Sequence, residues 1–126
     1  MSPKCVLVID DEESIQKVVR LSLKMEASWD TITVSTGSEG IYQATICQPD
    51  AILLDVMMPE IDGIATFKSL HENPQTQSIP VILLTAKNHT SEKLLFQKIG
   101  VAGVITKPFN PLTLASQVAK LLDWSI

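Results

Sequence analysis

Short apolar runs alternate with amphipathic stretches along the whole chain. Five runs have the length and β-branched content of buried strands, at 4–9, 31–35, 51–54, 81–84 and 101–105. The stretches between them predict helices over 13–27, 38–47, 63–71 and 90–99, and a last helix follows Asn110. Parallel strands joined by right-handed helical crossovers predict an α/β fold. We therefore expect a doubly wound, five-stranded parallel sheet with helices on both faces.

Capping residues predict where several helices begin. Asp11 or Glu12 is expected to cap the first helix, Ser38 the second and Asn110 the last, with Pro111 in its first turn. The apolar spacing of the last helix predicts an inward face of Leu114, Val118, Leu121 and Leu122. No linker or low-complexity segment interrupts the pattern, so residues 1–126 are expected to form a single domain.

Composition and charge argue against several classes of function. Of the 126 residues 45% are hydrophobic, yet no apolar run is long enough to span a membrane. The net charge of -4, without a run of Lys or Arg, argues against direct nucleic-acid binding. Cys5 and Cys47 lack metal or disulfide spacing, and the N-terminal residues lack the pattern of a signal peptide. We expect a cytoplasmic protein with reduced thiols and no membrane association.

Polar residues that follow the apolar runs supply the candidate chemistry. Because parallel strands end at the same edge of a sheet, we expect these residues to be neighbours. They are Asp10 and Asp11 after the first strand, Asp55 after the third, Thr85 and Ala86 after the fourth, and Lys107 and Pro108 after the fifth. Crowded carboxylates resist ionisation unless a cation joins them, and a hard divalent ion prefers oxygen ligands. A carboxylate nucleophile, a divalent cation, a hydroxyl and a lysine are the groups that phosphoryl transfer requires.

These residues give the chain a resemblance to the receiver domains of response regulators in two-component signalling. The resemblance is carried by four motifs in order, Val-Leu-Val-Ile-Asp10-Asp11-Glu12, Ile-Leu-Leu-Asp55-Val-Met-Met-Pro59-Glu-Ile-Asp62-Gly63, Leu-Leu-Thr85-Ala86 and Ile-Thr-Lys107-Pro108-Phe109. The match covers essentially the whole chain. It implies the flavodoxin-like strand order 2-1-3-4-5 and a stand-alone receiver without an output domain.

The resemblance implies a phosphoacceptor and a metal site. Asp55 is the expected acceptor of a phosphoryl group from a histidine kinase or a histidine phosphotransfer protein. Asp11 and Asp55 are expected to ligate Mg2+ or Mn2+ directly, together with the backbone carbonyl of Met57, while Asp10 acts largely through water. The phosphorylated chain is then expected to change its binding to a downstream protein that the sequence does not identify.

The resemblance also implies the residues that handle the phosphoryl group. Thr85, Ala86 and Lys107 are expected to bind it, and Thr85 is expected to move toward it on activation. Lys107 is expected to contact Asp55 before phosphorylation. A cis peptide bond is expected before Pro108, where proline serves a tight functional turn.

Two departures from the family pattern, and the two residues that flank the water path, modify this expectation. Val104 stands where many members carry an aromatic ring that rotates inward on activation, so an aromatic switch is not expected. Met57 and Lys87 flank the path of the attacking water and are poor at positioning it, which predicts slow autodephosphorylation. The sequence Gly100-Val101-Ala102-Gly103 lacks the acids of salt-bridged dimers, so a monomer or a weak dimer is expected.

Two other functions remain as alternatives. A small Mg2+-dependent phosphatase with an aspartyl-phosphate intermediate would need a second acid two residues after Asp55, and that position is Met57. A binding module that works without phosphorylation would not need the intact acid set or Lys107. The sequence therefore favours a phospho-accepting switch, which is not an enzyme in the ordinary sense.

Overall fold

Five parallel strands form one sheet in the computed structural model, which describes residues 4–56, 63–86 and 98–125. The strands are β1 (Cys5–Ile9), β2 (Asp30–Val34), β3 (Ala51–Asp55), β4 (Val81–Thr85) and β5 (Gly103–Thr106). They lie in the order β2-β1-β3-β4-β5, and every neighbouring pair is parallel. The predicted fold class and strand order are therefore confirmed.

Four helices cover the two faces of this sheet in the described part of the chain. They are α1 (Glu13–Ala27), α2 (Gly37–Cys47), α3 (Gly63–Glu72) and α4 (Leu114–Leu122). α2 and α3 pack on one face, and α1 and α4 pack on the other. None of these four is long and apolar enough to cross a membrane. The helix predicted over 90–99 falls almost wholly outside the described residues.

Each face of the sheet has its own hydrophobic core, because successive strand residues point to opposite faces. In β1, Leu7 and Ile9 pack into the core under α2 and α3, and Val6 and Val8 pack into the core under α1 and α4. Every residue of β3 and β4 is buried. This double burial explains why β3 and β4 are apolar up to their last residues, Asp55 and Thr85, as parallel strands covered on both faces require.

The predicted N-cap of α2 is wrong, and the predicted N-cap of α1 is right in position only. Thr36 caps α2, since its Oγ1 accepts the backbone N–H of Glu39 at 3.1 Å, and Ser38 lies within the helix. Glu12 occupies the N-cap position of α1 but makes no capping bond with its side chain. The Glu12 N–H instead donates to Asp10 Oδ1 at 2.9 Å, so a site residue takes over part of the capping.

The start of the last helix also differs from the prediction. Asn110 Oδ1 accepts the N–H of Leu112 at 2.9 Å, and so closes a turn that contains Pro111 and precedes the helix. The helix itself begins at Leu114. A short polar side chain bonds only two or three residues ahead, so the cap at Asn110 serves the turn rather than α4.

A carboxylate from another element caps α4. Glu26, near the end of α1, accepts the backbone N–H groups of Ala115 at 3.0 Å and Ser116 at 3.2 Å, and also the Ser116 hydroxyl. The first N–H groups of a helix have no partner within it, and a negative charge suits that end of the helix dipole. This contact fixes the start of α4 against the end of α1.

The predicted inward face of α4 holds for three of its four residues. Leu114 and Val118 are fully buried and Leu122 packs against the core, but Leu121 is 40% exposed. The Leu121 side chain lies over Gly103, where a Cβ would come within 2.7 Å of Leu121 Cδ1. Since β5 ends the sheet, a side chain that covers its glycine remains open to solvent on one side.

Candidate functional site

Three carboxylates meet at the edge where the strands end. Asp10 follows β1, Asp11 comes next, and Asp55 is the last residue of the neighbouring β3. One carboxylate oxygen from each lies within 4.8 Å of the other two. Asp10 is fully buried and Asp55 is 3% exposed, whereas Asp11 is exposed. Two carboxylates of the cluster are therefore enclosed by the fold, and the third, Asp11, is open to solvent.

Lys107 supplies a positive charge to this cluster. Its Nζ lies 3.0 Å from Asp10 Oδ2 and 3.4 Å from Asp55 Oδ1. Burial lowers the pKa of the ammonium group, but the hydrogen bond to Asp10 and the charges of Asp10 and Asp55 outweigh it and raise that pKa above its ordinary value. Lys107 is thus protonated at neutral pH, and its contact with Asp10 is shorter than its contact with Asp55.

Asp10 is held by hydrogen bonds at all four of its polar groups. Its N–H donates to Val34 O at 3.1 Å, and its carbonyl accepts from Gln16 Nε2 at 2.6 Å. Its carboxylate accepts from the Glu12 N–H through Oδ1 and from Lys107 Nζ through Oδ2. Both carboxylate oxygens already have donors, which suits a residue that acts on a cation through water better than a direct ligand.

Thr85 and Ala86 lie at the end of the next strand. Thr85 closes β4 and is 1% exposed, and Ala86 after it is exposed. The Lys107 backbone N–H donates to the Thr85 carbonyl at 2.7 Å, so the two strand ends are tied together. Asp55 lies opposite Leu84 in the β3–β4 register, which puts Thr85 one residue further along the same edge.

Gly63 and Pro108 shape the backbone around the site. A Cβ at position 63 would lie 2.3 Å from the Asp55 carbonyl oxygen and 2.6 Å from Val56 Cα. The glycine is therefore required by the close approach of α3 to the end of β3. The peptide bond between Lys107 and Pro108 is cis, the isomer that the resemblance implies.

Several predicted residues cannot be placed. Met57, Pro59, Asp62 and Lys87 lie outside the described residues, and with them the expected metal-ligating carbonyl and both lifetime positions. Val104 is described: it lies on β5 opposite Leu83 and packs, partly buried, against the core.

Sequence reasoning missed Gln16 as a residue near the site. It lies on α1, six positions after Asp10, and looks like an ordinary polar residue on a helix surface. Its side chain points back toward the strand ends and bonds the Asp10 carbonyl. Because a long helical side chain leans toward the N-terminus of its helix, a polar residue in the first turn of α1 was the available signal.

The donor set fits a hard divalent cation. All three candidate ligands are carboxylate oxygens, and they converge within 4.8 Å. Mg2+ favours such oxygens and commonly uses one or two carboxylates beside a phosphate. Among the described residues, this cluster includes no nitrogen or sulfur ligand of the kind that zinc or copper would favour.

A doubly wound α/β domain with acids, a threonine and a lysine at the ends of its strands defines the receiver class. The family model of the response regulator receiver domain matches residues 6–119, and the chain belongs to this family. Receiver domains are switches of two-component signalling that bind Mg2+ at an acidic pocket and interact with histidine kinases or phosphotransfer proteins.

Individual proteins agree with this assignment. The alkaline phosphatase synthesis transcriptional regulatory protein PhoP of Bacillus subtilis is 39% identical over 119 residues, which cover 94% of this chain and 48% of PhoP. The chemotaxis response regulator CheY4 of Vibrio cholerae superposes with a TM-score of 0.87 at 28% identity, covering 95% of this chain and 99% of that one. The N-terminal domain of a response regulator receiver protein from Methanoculleus marisnigri gives 0.79 at 31% identity, covering 98% and 100%.

The curated relatives are longer than this chain. The chain spans about half the length of those it matches, with 48% of PhoP and 48% of the DNA-binding regulator RpaA of Synechocystis covered. The similarity therefore concerns the receiver part of those proteins.

Proposed function

We propose that Asp55 accepts a phosphoryl group from a histidine kinase or a histidine phosphotransfer protein in a Mg2+-dependent reaction. The observation that carries this proposal is the setting of the Asp55 carboxylate. It lies at the end of a central strand, within 4.8 Å of two further carboxylates and 3.4 Å from the Lys107 ammonium. A nucleophile, a place for a cation and a fixed positive charge are the parts that phosphoryl transfer needs.

In the proposed step, a carboxylate oxygen of Asp55 attacks the phosphorus of a phosphohistidine on the donor. The new P–O bond forms as the P–N bond breaks, and the electron pair of that bond returns to the imidazole nitrogen. Lys107 offsets charge on the transferred oxygens, because its raised pKa keeps it protonated at neutral pH. The Thr85 hydroxyl donates a hydrogen bond to one of those oxygens once the phosphoryl group is in place.

Asp11 and Asp55 are the residues that would hold Mg2+ directly, with the Met57 carbonyl, and Asp10 would act through water. Asp11 suits this role because it is the exposed member of the cluster and faces solvent. When bound, the cation offsets the negative charge of the carboxylates and of the incoming phosphoryl oxygens. Mn2+ fits the same oxygen ligands.

The output is a change in binding to another protein, which the sequence does not identify. Val104 carries no ring, so activation acts through Thr85 and the backbone that follows it, with a smaller movement than an aromatic switch gives. Three further points stay predictions: that the chain acts as a single domain, that it is a monomer or a weak dimer, and that it makes no direct contact with nucleic acid. So does slow autodephosphorylation, which depends on Met57 and Lys87.

The test is an intact-mass measurement after incubation with Mg2+ and a small acyl phosphate. We expect the mass of one added phosphoryl group in the wild type and none in Asp55→Asn. Asp123→Asn is the matched control, since Asp123 lies at the exposed C-terminal end of α4 and asparagine tolerates its left-handed backbone. No adduct in the wild type, or an adduct that survives in Asp55→Asn, would overturn the proposal.

A further inference from the structure

We infer that Gln16 is a positioning residue of the site, whose side-chain amide sets the direction in which Asp10 and Asp11 present their carboxylates to Mg2+. This inference rests on the proposed function, because it concerns the same acidic cluster. Gln16 does not touch the reacting atoms. It acts through the backbone that carries the two acids.

The amide of Gln16 joins the ends of two strands. Its Nε2 lies 2.6 Å from the Asp10 carbonyl oxygen, 3.1 Å from the Val34 carbonyl oxygen and 3.2 Å from Ser35 Oγ. Asp10 follows β1, and Val34 ends β2. Two N–H hydrogens thus serve three acceptors, and the shortest contact is to the residue in the acidic cluster.

The Asp10 carbonyl belongs to the peptide plane that joins Asp10 to Asp11. Since that plane is rigid and contains the Cα atoms of both residues, fixing its oxygen limits the directions in which both side chains leave the backbone. Asp10 is also held through its own N–H and carboxylate. The Asp11 side chain is exposed and has no hydrogen-bond partner among the described residues, so it depends on the backbone for its direction.

The Gln16 amide also takes the place of a backbone hydrogen bond between β1 and β2 at the point where the sheet ends. The Asp10 N–H donates to Val34 O at 3.1 Å, and this is the last backbone hydrogen bond between the β1 and β2 segments. Beyond it, the Gln16 amide donates to the carbonyl oxygens of both Asp10 and Val34. Without it, the Asp10 carbonyl would lose the donor that fixes the Asp10–Asp11 peptide, and Asp10 would be held only by its own N–H and its carboxylate. Partners that orient metal ligands commonly change metal affinity by about 10- to 100-fold when they are removed.

The test is a calorimetric titration with Mg2+ alone, on wild type, Gln16→Met and Gln117→Met. Methionine keeps the length of the side chain and removes the donors. Gln117 is the matched control, because its Nε2 bonds Thr113 Oγ1 at 3.1 Å, a local contact at the start of α4 that involves no residue of the acidic cluster. We expect the Kd for Mg2+ to rise about 10-fold in Gln16→Met and to stay at the wild-type value in Gln117→Met.

A second readout separates positioning from general stability. As Mg2+ is raised in the acyl-phosphate reaction, Gln16→Met should need about 10-fold more Mg2+ for half-maximal phosphorylation and reach the wild-type plateau. If Gln16→Met does not fold, Gln16→Asn, whose amide is one methylene short of these acceptors, should show the same shift in Mg2+ dependence. A wild-type Kd in the folded variant, or a lower plateau at unchanged Mg2+ dependence, would overturn the inference. A wild-type chain that neither binds Mg2+ nor takes up the phosphoryl group would overturn the proposed function instead.

Discussion

At the scale of single residues, Lys107 governs the charge balance of the site. Its ammonium is 3.0 Å from a carboxylate that has no solvent exposure. We expect Lys107→Met to lower the free energy of unfolding by about 3 kcal/mol in Mg2+-free buffer, because it leaves the Asp10 charge buried without its partner. Urea unfolding at neutral pH measures this. Lys17→Met, on an exposed position of α1, is the control and should change stability by less than about 0.5 kcal/mol.

The raised pKa of Lys107 also predicts a pH dependence. A lysine whose folded pKa is raised contributes stability that is fully present below its unfolded pKa and is lost as the pH rises through its folded pKa. The difference in unfolding free energy between wild type and Lys107→Met should therefore be constant from neutral pH to the ordinary lysine pKa of 10.5 and shrink above it. A difference that shrinks already near neutral pH would contradict the assigned contact.

Two buried threonines give opposite predictions. Thr66 is fully buried and its Oγ1 has no partner among the described residues, whereas Thr76 Oγ1 donates to the Leu70 carbonyl at 2.7 Å. Thr66→Val should raise the free energy of unfolding by about 1 kcal/mol, since it removes an unsatisfied hydroxyl. Thr76→Val should lower it by about 1 kcal/mol. Loss of stability in Thr66→Val, measured by the same urea unfolding, would show that its hydroxyl has a partner.

The sequence predicts the location of single site residues well when they lie directly after strands. The positions of Asp10, Asp55, Thr85 and Lys107 follow from the shared edge of parallel strands, and the structure brings them together there. Gln16 was not predictable in the same way. Its place near the start of α1 indicates only that the side chain points toward the strand ends. Which acceptors it bonds depends on the path of that side chain across three chain segments, which neither periodicity nor spacing encodes.

At the scale of elements, the carboxylate of Glu26 ties the end of α1 to the start of α4. We expect Glu26→Ala to lower the free energy of unfolding by about 1 kcal/mol and to speed amide exchange at Ala115 and Ser116, whose N–H groups it accepts. Glu72→Ala, at the exposed end of α3, is the control and should leave both unchanged. Equal effects of the two substitutions would mean that the Glu26 cap contributes nothing to the stability of the fold.

The five strands and the four helices of the described residues were predictable because the apolar pattern is strong, but the helix starts were not. Thr36 rather than Ser38 caps α2, and Asn110 closes a turn before α4. Where several polar residues are neighbours, any of them could be the N-cap. Which one caps the helix depends on the backbone angles with which the chain enters it. A cap from a distant element, such as Glu26, leaves no local signal at all.

At the scale of the whole molecule, the site and the two tryptophans lie at opposite edges of the sheet. Trp29 precedes β2 and Trp124 follows α4; their rings pack edge to face with centroids 5.3 Å apart, and Lys4 Nζ lies 4.6 Å from the Trp124 ring. We expect tryptophan emission to report global unfolding and to stay constant on Mg2+ addition or phosphorylation. A change in emission during a Mg2+ titration of the folded chain would show that the two edges are coupled.

The central claim is that Asp55, among three clustered carboxylates, is the one that accepts the phosphoryl group. Borohydride reduces an aspartyl phosphate to homoserine, so peptide mapping after reduction identifies the acceptor directly. After incubation with Mg2+ and a small acyl phosphate, we predict homoserine at position 55, with Asp10 and Asp11 unchanged, and none when Mg2+ is removed by a chelator. Homoserine at position 10 or 11, or equal labelling without Mg2+, would contradict the account.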